Sequence, residues 1–154
     1  HTQKAFALIT NVGASFLRQL AERTGYERDP RIRFVGTVYD QELLKKIREQ
    51  AYGYLHGHEV GGTNPSLLEA MGSTKLNLLL DVGFNREVGM DGAVYWGKGD
   101  GELASLIDRM DRITPEERRE LGRKARERIR KNYSWDDITD RYEELFIQKA
   151  GGVR

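Results

Sequence analysis

The sequence predicts an α/β protein with a single doubly wound parallel sheet, helices on both faces and a helical C-terminal tail. Three observations lead there. Short, nearly continuous apolar runs recur between residues 5 and 96, separated by amphipathic segments. Such runs suit strands buried on both faces of a parallel sheet, and right-handed strand–helix–strand crossovers then place helices on both sides. The last third carries helical periodicity without any strand pattern, and the 17 glycines supply tight turns that a helical bundle does not need.

The strand runs are AFALIT (5–10), IRFVG (32–36), YGYLH (52–56), LNLLLD (76–81) and a weaker AVYW (93–96). Helices are expected between them at 15–24, 40–50, 65–73 and 84–89. Asp40 is the N-cap of the second, whose Leu43, Leu44 and Ile47 share one face. Asn64 caps the third and Pro65 takes its first helical position. ELASLIDRM (102–110) places Leu103, Leu106, Ile107 and Met110 at helical spacing. In TPEE, Thr114 caps, Pro115 opens the helix and Glu117 closes a capping box. The helix that follows, through Lys131, carries eight basic and four acidic residues. It reads as a solvated face, with a phosphate backbone or membrane surface as the alternative partner. The last helix starts after Ser134, with Asp137 three residues on. Its stripe of Trp135, Ile138, Tyr142, Leu145 and Phe146 reads as core packing, with Trp135 or Phe146 exposed if a further domain is missing. Residues 1–150 form one expected domain and 151–154 a frayed tail.

Composition removes several classes. A chain of 154 residues suffices for one domain. With 25 Lys and Arg against 24 Asp and Glu, no global field favours nucleic acid or an anionic membrane. The absence of cysteine excludes disulfides, thiolate-bound zinc and thiol catalysis, and is compatible with the cytosol. No apolar run approaches the roughly 20 residues of a membrane span. The opening HTQKAF has neither an initiator Met nor a signal-peptide pattern, so the chain is expected to be a piece of a longer protein.

In open α/β sheets, ligands bind beyond the carboxyl ends of the strands. The polar and glycine-rich pieces fall there: Asn11 and Gly13, then Gly36, Thr37 and Val38, then HGHEVGGTN, then Asp81 through Arg86. Gly61 and Gly62 allow close backbone approach, and the helix N-terminus that Asn64 opens favours an anion such as phosphate. Glu69 stands among Leu67, Leu68, Ala70 and Met71, too far into the helix to cap it. A carboxylate buried there needs hydrogen-bond donors, and sugar hydroxyls supply two. The alternative is a Glu69 that faces solvent or bonds neighbouring backbone. A receiver-type signalling domain is excluded, because Thr10-Asn11 and His56-Gly57 stand where its acidic cluster and its phosphorylated Asp belong.

HGHEVGGTNPSLLEAMG, followed by DVGFNREV and NYSWDDITDRYEELF, resembles the C-terminal domain of retaining GT-B glycosyltransferases of family 4. The likeness is to the branch of bacterial rhamnosyltransferase-type enzymes that build surface polysaccharides. It implies a Rossmann-like, nucleotide-sugar-binding domain over 1–150, with an N-terminal acceptor domain outside this sequence. By position, Glu69 accepts ribose hydroxyls, while the backbone of Gly61, Gly62, Thr63 and Asn64 faces the donor sugar and diphosphate. Gly36, Thr37 and Val38 lie along the base. His56, His58, Glu59, Asn85 and Arg86 are further candidates.

Two departures bear on those roles. The family's first Glu of Glu-x7-Glu falls on Gly61, with Glu59 two residues early, and His56-Gly57-His58 replaces the usual Pro-Ser pair. Either histidine contacts substrate or serves as a structural hydrogen-bonder. Arg86 binds phosphate or pairs with Glu87 or another acid. The resemblance implies transfer of a hexosyl unit, such as rhamnose from a dTDP donor, to a glycan or lipid-linked acceptor. The configuration is retained through front-face attack, so catalysis rests on positioning and leaving-charge stabilisation rather than a protein base, and no catalytic residue is assigned. No cofactor is implied, and without an Asp-x-Asp motif no metal. The family's diphosphate-neutralising Arg and Lys precede the start of this chain, which alone is expected to be inactive. The expected setting is the cytoplasm, peripheral to the inner membrane face in the full-length protein, with no nucleic-acid partner. The alternative reading is a non-catalytic nucleotide- or partner-binding α/β module.

Overall fold

The computed structural model describes residues 2–151, apart from the side chains of 135–137, 150 and 151. Its contacts divide the chain into two compact units, with the boundary between Lys46 and Ile47. The first contains β1 (Phe6–Leu8), α1 (Ala14–Thr24), a 3-10 turn (Tyr26–Arg28), β2 (Ile32–Phe34) and the start of α2 (Gln41–Gln50). β1 and β2 pair in parallel, Phe6 opposite Ile32 and Leu8 opposite Phe34. α1 ends on Gly25 in the left-handed region at φ 64°, where its N–H reaches the Ala21 carbonyl at 2.7 Å. Asp40 accepts from the Leu43 N–H at 3.0 Å, the expected cap of α2. Burial of the first two apolar runs on both faces does not hold. No described residue of this unit is buried, and Leu8 and Val35 are 37% and 53% exposed. Two three-residue strands bury too little apolar area by themselves to close a core.

The second unit holds β3 (Tyr54–His56), α3 (Pro65–Ser73), β4 (Asn77–Leu80), α4 (Gly83–Gly89), β5 (Val94–Trp96), α5 (Glu102–Met110), α6 (Pro115–Asn132) and α7 (Trp135–Gly151). Its ladder runs β3-β4-β5, all parallel, with Leu55 opposite Leu78 and Leu79 opposite Tyr95. All five expected strands therefore form and pair in parallel, as a two-stranded and a three-stranded ladder. Every residue of β4 is buried, as an apolar strand with a partner on each edge should be. Its side chains alternate between faces. Leu79 packs with Leu67 and Met71 of α3, Val88 of α4 and Ala125 of α6. Leu78, with Leu76, meets Leu106 and Met110 of α5 on the other side. Helices thus cover both faces of this ladder, which is the doubly wound arrangement.

α6 approaches that core through its small residues. A Cβ on Gly122 would lie 2.8 Å from the Lys75 Cα, so only glycine fits the contact. The capping box at its start forms, Thr114 Oγ1 accepting from the Glu117 N–H at 3.1 Å while Glu117 accepts from the Thr114 N–H at 2.7 Å. Along its outer side, Arg123 bridges Glu120 and Glu127, and Lys131 reaches Glu127 at 2.7 Å. These i,i+3 and i,i+4 pairs fit the solvated-face reading of the basic helix.

α7 departs from expectation. Its stripe does not pack as core: Tyr142 and Phe146 stack at 6.2 Å but face solvent, Phe146 at 66% exposure, with Leu145 also exposed. Apolar periodicity predicts which residues share a face, not that a neighbour covers it. Trp135, Asp137 and the cap expected between Asp137 and Ser134 fall on side chains outside those described.

Candidate functional site

The parallel order of β3, β4 and β5 puts their carboxyl ends, at His56, Leu80 and Trp96, along one edge of the second unit. Three loops leave that edge, at residues 57–64, 81–82 and 97–101. Asn85, fully buried in α4, ties the first of them to the end of β4. Its Nδ2 donates to the Leu80 carbonyl at 2.9 Å and to the His58 carbonyl at 3.1 Å. The Asp81 N–H donates to the Trp96 carbonyl at 2.8 Å. Lys98 forms an ion pair with Glu59, joining the loop after β5 to the loop after β3.

The loop before α3 is built as the sequence leads one to expect. Gly61 sits at φ 124°, and a Cβ there would lie 3.3 Å from His58 Nε2, so a side chain would be strained and crowded. Asn64 is the N-cap, its Oδ1 accepting from the Ser66 N–H at 2.9 Å. This cap changes which donors an anion would meet. Pro65 has no N–H, Ser66 is taken by the cap, and Leu67 already donates to the Asn64 carbonyl at 3.0 Å. Among the described residues, no hydrogen bond engages the N–H groups of Gly62, Thr63 or Asn64. The open donors therefore belong to the loop, backed by the positive end of the α3 dipole.

Glu69 is not buried. Its side chain is 49% exposed and its Oε2 accepts from Arg48 Nη1 at 2.6 Å. The apolar neighbours in the sequence, Leu67, Ala70 and Met71, turn into the core, while Glu69 occupies the outer face of the same helix. Its second oxygen, Oε1, accepts no hydrogen bond from the described residues. Glu69 lies five residues beyond the N-cap, about 7–8 Å along the helix axis.

The remaining candidates separate by role. His56 is buried, with Nδ1 3.2 Å from the Tyr54 hydroxyl and Nε2 without a partner among the described residues. Burial, and secondarily the charge of His58, lowers its pKa from the ordinary value of 6.5. His58 sits edge-on to Phe84 at 6.1 Å between ring centroids. Arg86 pairs with Asp81, not Glu87, through two hydrogen bonds, and lies over the Tyr95 ring at 4.4 Å. That arrangement holds Arg86 to the rim and lowers the Asp81 pKa through the same hydrogen bonds. Gly36, Thr37 and Val38 follow β2 in the first unit, Gly36 in the left-handed region at φ 82°.

Two parts of the site escaped the sequence reading. One is Arg48, in the last turn of α2, whose pairing with Glu69 joins residues 21 positions apart. The other is the loop after β5, where the Gly97 N–H donates to Glu102 at 2.7 Å beside an open groove of about 520 Å³. The signal for it was the Gly-Lys-Gly-Asp-Gly run at 97–101, at the end of the weakest strand pattern. Among the described residues, no three His, Asp or Glu side chains gather in metal-binding geometry, and no helix is long and apolar enough to cross a membrane.

The sequence matches no family model and no curated protein. Solved structures do resemble it. Sucrose-phosphate synthase from Thermosynechococcus elongatus aligns over 94% of this chain and 38% of its own, with a TM-score of 0.77 and 21% sequence identity. HepE from Anabaena, solved in complex with UDP, aligns over 96% of this chain and 42% of its own, with a TM-score of 0.73 and 18% identity. At such identities the likeness defines the fold: a Rossmann-like α/β architecture of GT-B type. This chain spans about two-fifths of the length of either neighbour.

Proposed function

We propose that this chain is the donor-binding part of a retaining glycosyltransferase and holds the diphosphate and ribose of a nucleotide sugar. The observation that carries the reading is the juxtaposition of open N–H groups at Gly62, Thr63 and Asn64, in the loop that enters α3, with the half-exposed carboxylate of Glu69 on α3 itself. A diphosphate is a dianionic acceptor of N–H donors, and the ribose joined to it is a donor of hydroxyl hydrogens. The loop and the helix it enters present the complementary groups in that order and at a separation suited to adjoining parts of one nucleotide. The GT-B fold, and a neighbour solved with UDP, support the same chemistry. This reading rests on the second unit; the base contacts that the resemblance assigns to Gly36, Thr37 and Val38 belong to the first.

Within the proposal the donor carries a hexosyl unit, rhamnose by resemblance, for transfer to a glycan or lipid-linked acceptor. The chain's own residues bind and orient the donor and offset the charge that develops on the departing diphosphate. No side chain at this rim is assigned as a proton-accepting base.

Calorimetric titration with UDP, GDP and dTDP, with and without magnesium, tests the reading. The expected result is magnesium-independent binding that favours one base, weakened by about 1–3 kcal/mol in Glu69→Ala, the scale for hydrogen bonds to a charged group. Failure of all three nucleotides to bind, or an affinity unaltered by that substitution in a folded variant, refutes the assignment.

A further inference from the structure

Glu69 is exposed, but the side chain that holds it is not. The Arg48 side chain is only 11% exposed, and its ion pair, Nη1 to Glu69 Oε2 at 2.6 Å, joins the last turn of α2 to the outer face of α3. The backbone beneath is fixed as well. Thr74, fully buried at the C-terminal cap of α3, donates through Oγ1 to the Arg48 carbonyl at 3.1 Å. Both ends of α3 that matter to the pair are therefore tied, one through Thr74 to Arg48 and the other through the Asn64 cap.

A half-exposed glutamate on a helix ordinarily samples several rotamers, and a ligand that needs one of them must supply the ordering entropy. The covered guanidinium removes that freedom. It engages one carboxylate oxygen and leaves Oε1 with no donor from the described residues. We propose that Arg48 is a positioning residue for nucleotide recognition, pre-setting the Glu69 carboxylate so that its remaining acceptor capacity faces the sugar hydroxyls of the ligand. The inference rests on the donor-site reading above. Arg48 touches no ligand; its effect passes entirely through Glu69.

That route gives a signature that a merely structural arginine lacks. Titrations of the 154-residue chain use UDP, GDP and dTDP, each against its 2′,3′-dideoxy counterpart, with wild type, Arg48→Met and Arg48→Lys. Met retains the apolar stem and protects folding, whereas Lys restores a point charge without the planar fork. The wild type is expected to prefer the hydroxylated nucleotide by roughly tenfold, the scale of hydrogen bonds to a charged acceptor. Arg48→Met is expected to lose most of that preference while its affinity for the dideoxy form changes less than about twofold, with Arg48→Lys in between. A Met variant that weakens both ligands equally, or that keeps the full preference, overturns the positioning role and leaves the donor site standing. A wild type that binds the hydroxylated and dideoxy forms alike, or binds none of the nucleotides, overturns the ribose assignment of Glu69 and the inference with it.

Discussion

Asn85→Asp replaces one atom at the junction of the loop after β3 with the end of β4, and its consequence follows from the geometry. Asn85 Nδ2 donates to two carbonyls, Leu80 at 2.9 Å and His58 at 3.1 Å, which fixes the amide orientation because neither neighbour can donate. Aspartate keeps the shape and loses both donors. Two hydrogen bonds at about 0.5–1.5 kcal/mol each set a floor of about 1–3 kcal/mol, and leaving buried acceptors unmatched raises the expected loss to about 2–5 kcal/mol at neutral pH. The pH dependence adds a check. Burial and two facing carbonyls favour the neutral acid, so the pKa of this Asp in the folded state lies above its unfolded value of about 3.9. The folded variant then holds its proton where the unfolded chain has released it. Its deficit against wild type is smallest below about pH 4 and grows as pH rises through the folded value. Urea unfolding of both proteins between pH 4 and pH 7.5 measures this difference. A variant within about 0.5 kcal/mol of wild type at pH 7.5, or a deficit that shrinks as pH rises, refutes the role given to this side chain.

Leu79→Ala empties the centre of the cluster formed with Leu67, Met71, Val88 and Ala125, and should cost about 2–5 kcal/mol in chemical denaturation; under about 1 kcal/mol would mean that this core is not close-packed. His56 has its folded pKa lowered from 6.5 by burial, so its neutral form contributes stability that is complete above about pH 6.5 and is lost as pH falls toward the folded value. His56→Gln should therefore flatten the fall in unfolding free energy between pH 7.5 and pH 5.5, and an unchanged slope would assign that fall to other groups.

Much of the architecture was legible because local chemistry and tertiary structure agree. LNLLLD suits a strand covered on both faces, as β4 is, and Asn64-Pro65 and Thr114-Pro115 mark helix starts by the same backbone demand that makes them good caps. What stayed hidden depends on neighbours that periodicity does not name. The apolar stripe of α7 and the runs around Leu8 and Val35 have the right pattern without the covering layer. The exposure of Glu69, left open in the sequence, was hidden for a related reason: its sequence neighbours are apolar, but on a helix the adjacent positions point elsewhere, and its counter-ion arrives from α2. Asn85 is a candidate in the sequence only by its place near the strand ends, with no role attached. Its burial between two carbonyls was not readable from DVGFNREV.

The polar groups of the rim fall into two kinds, and the division bears on where a ligand's binding energy can come from. Asp81 and Arg86 satisfy each other through two hydrogen bonds, Glu59 and Lys98 neutralise each other, and Asn85 spends both amide hydrogens on the carbonyls of His58 and Leu80. A ligand that recruited any of these would first have to break the contact that holds its loop, and the new bond would largely replace the old. The open N–H groups of Gly62, Thr63 and Asn64 and the free oxygen of Glu69 carry no such cost beyond displaced water. Differential affinity should therefore concentrate on the groups left open within the fold. The ion pairs should matter chiefly by keeping those groups in place, as preorganisation requires. Under the proposed donor site Arg86, despite its charge and its place at the strand ends, would be a poorer phosphate ligand than three backbone amides, because its guanidinium is already committed to Asp81 and the Tyr95 ring.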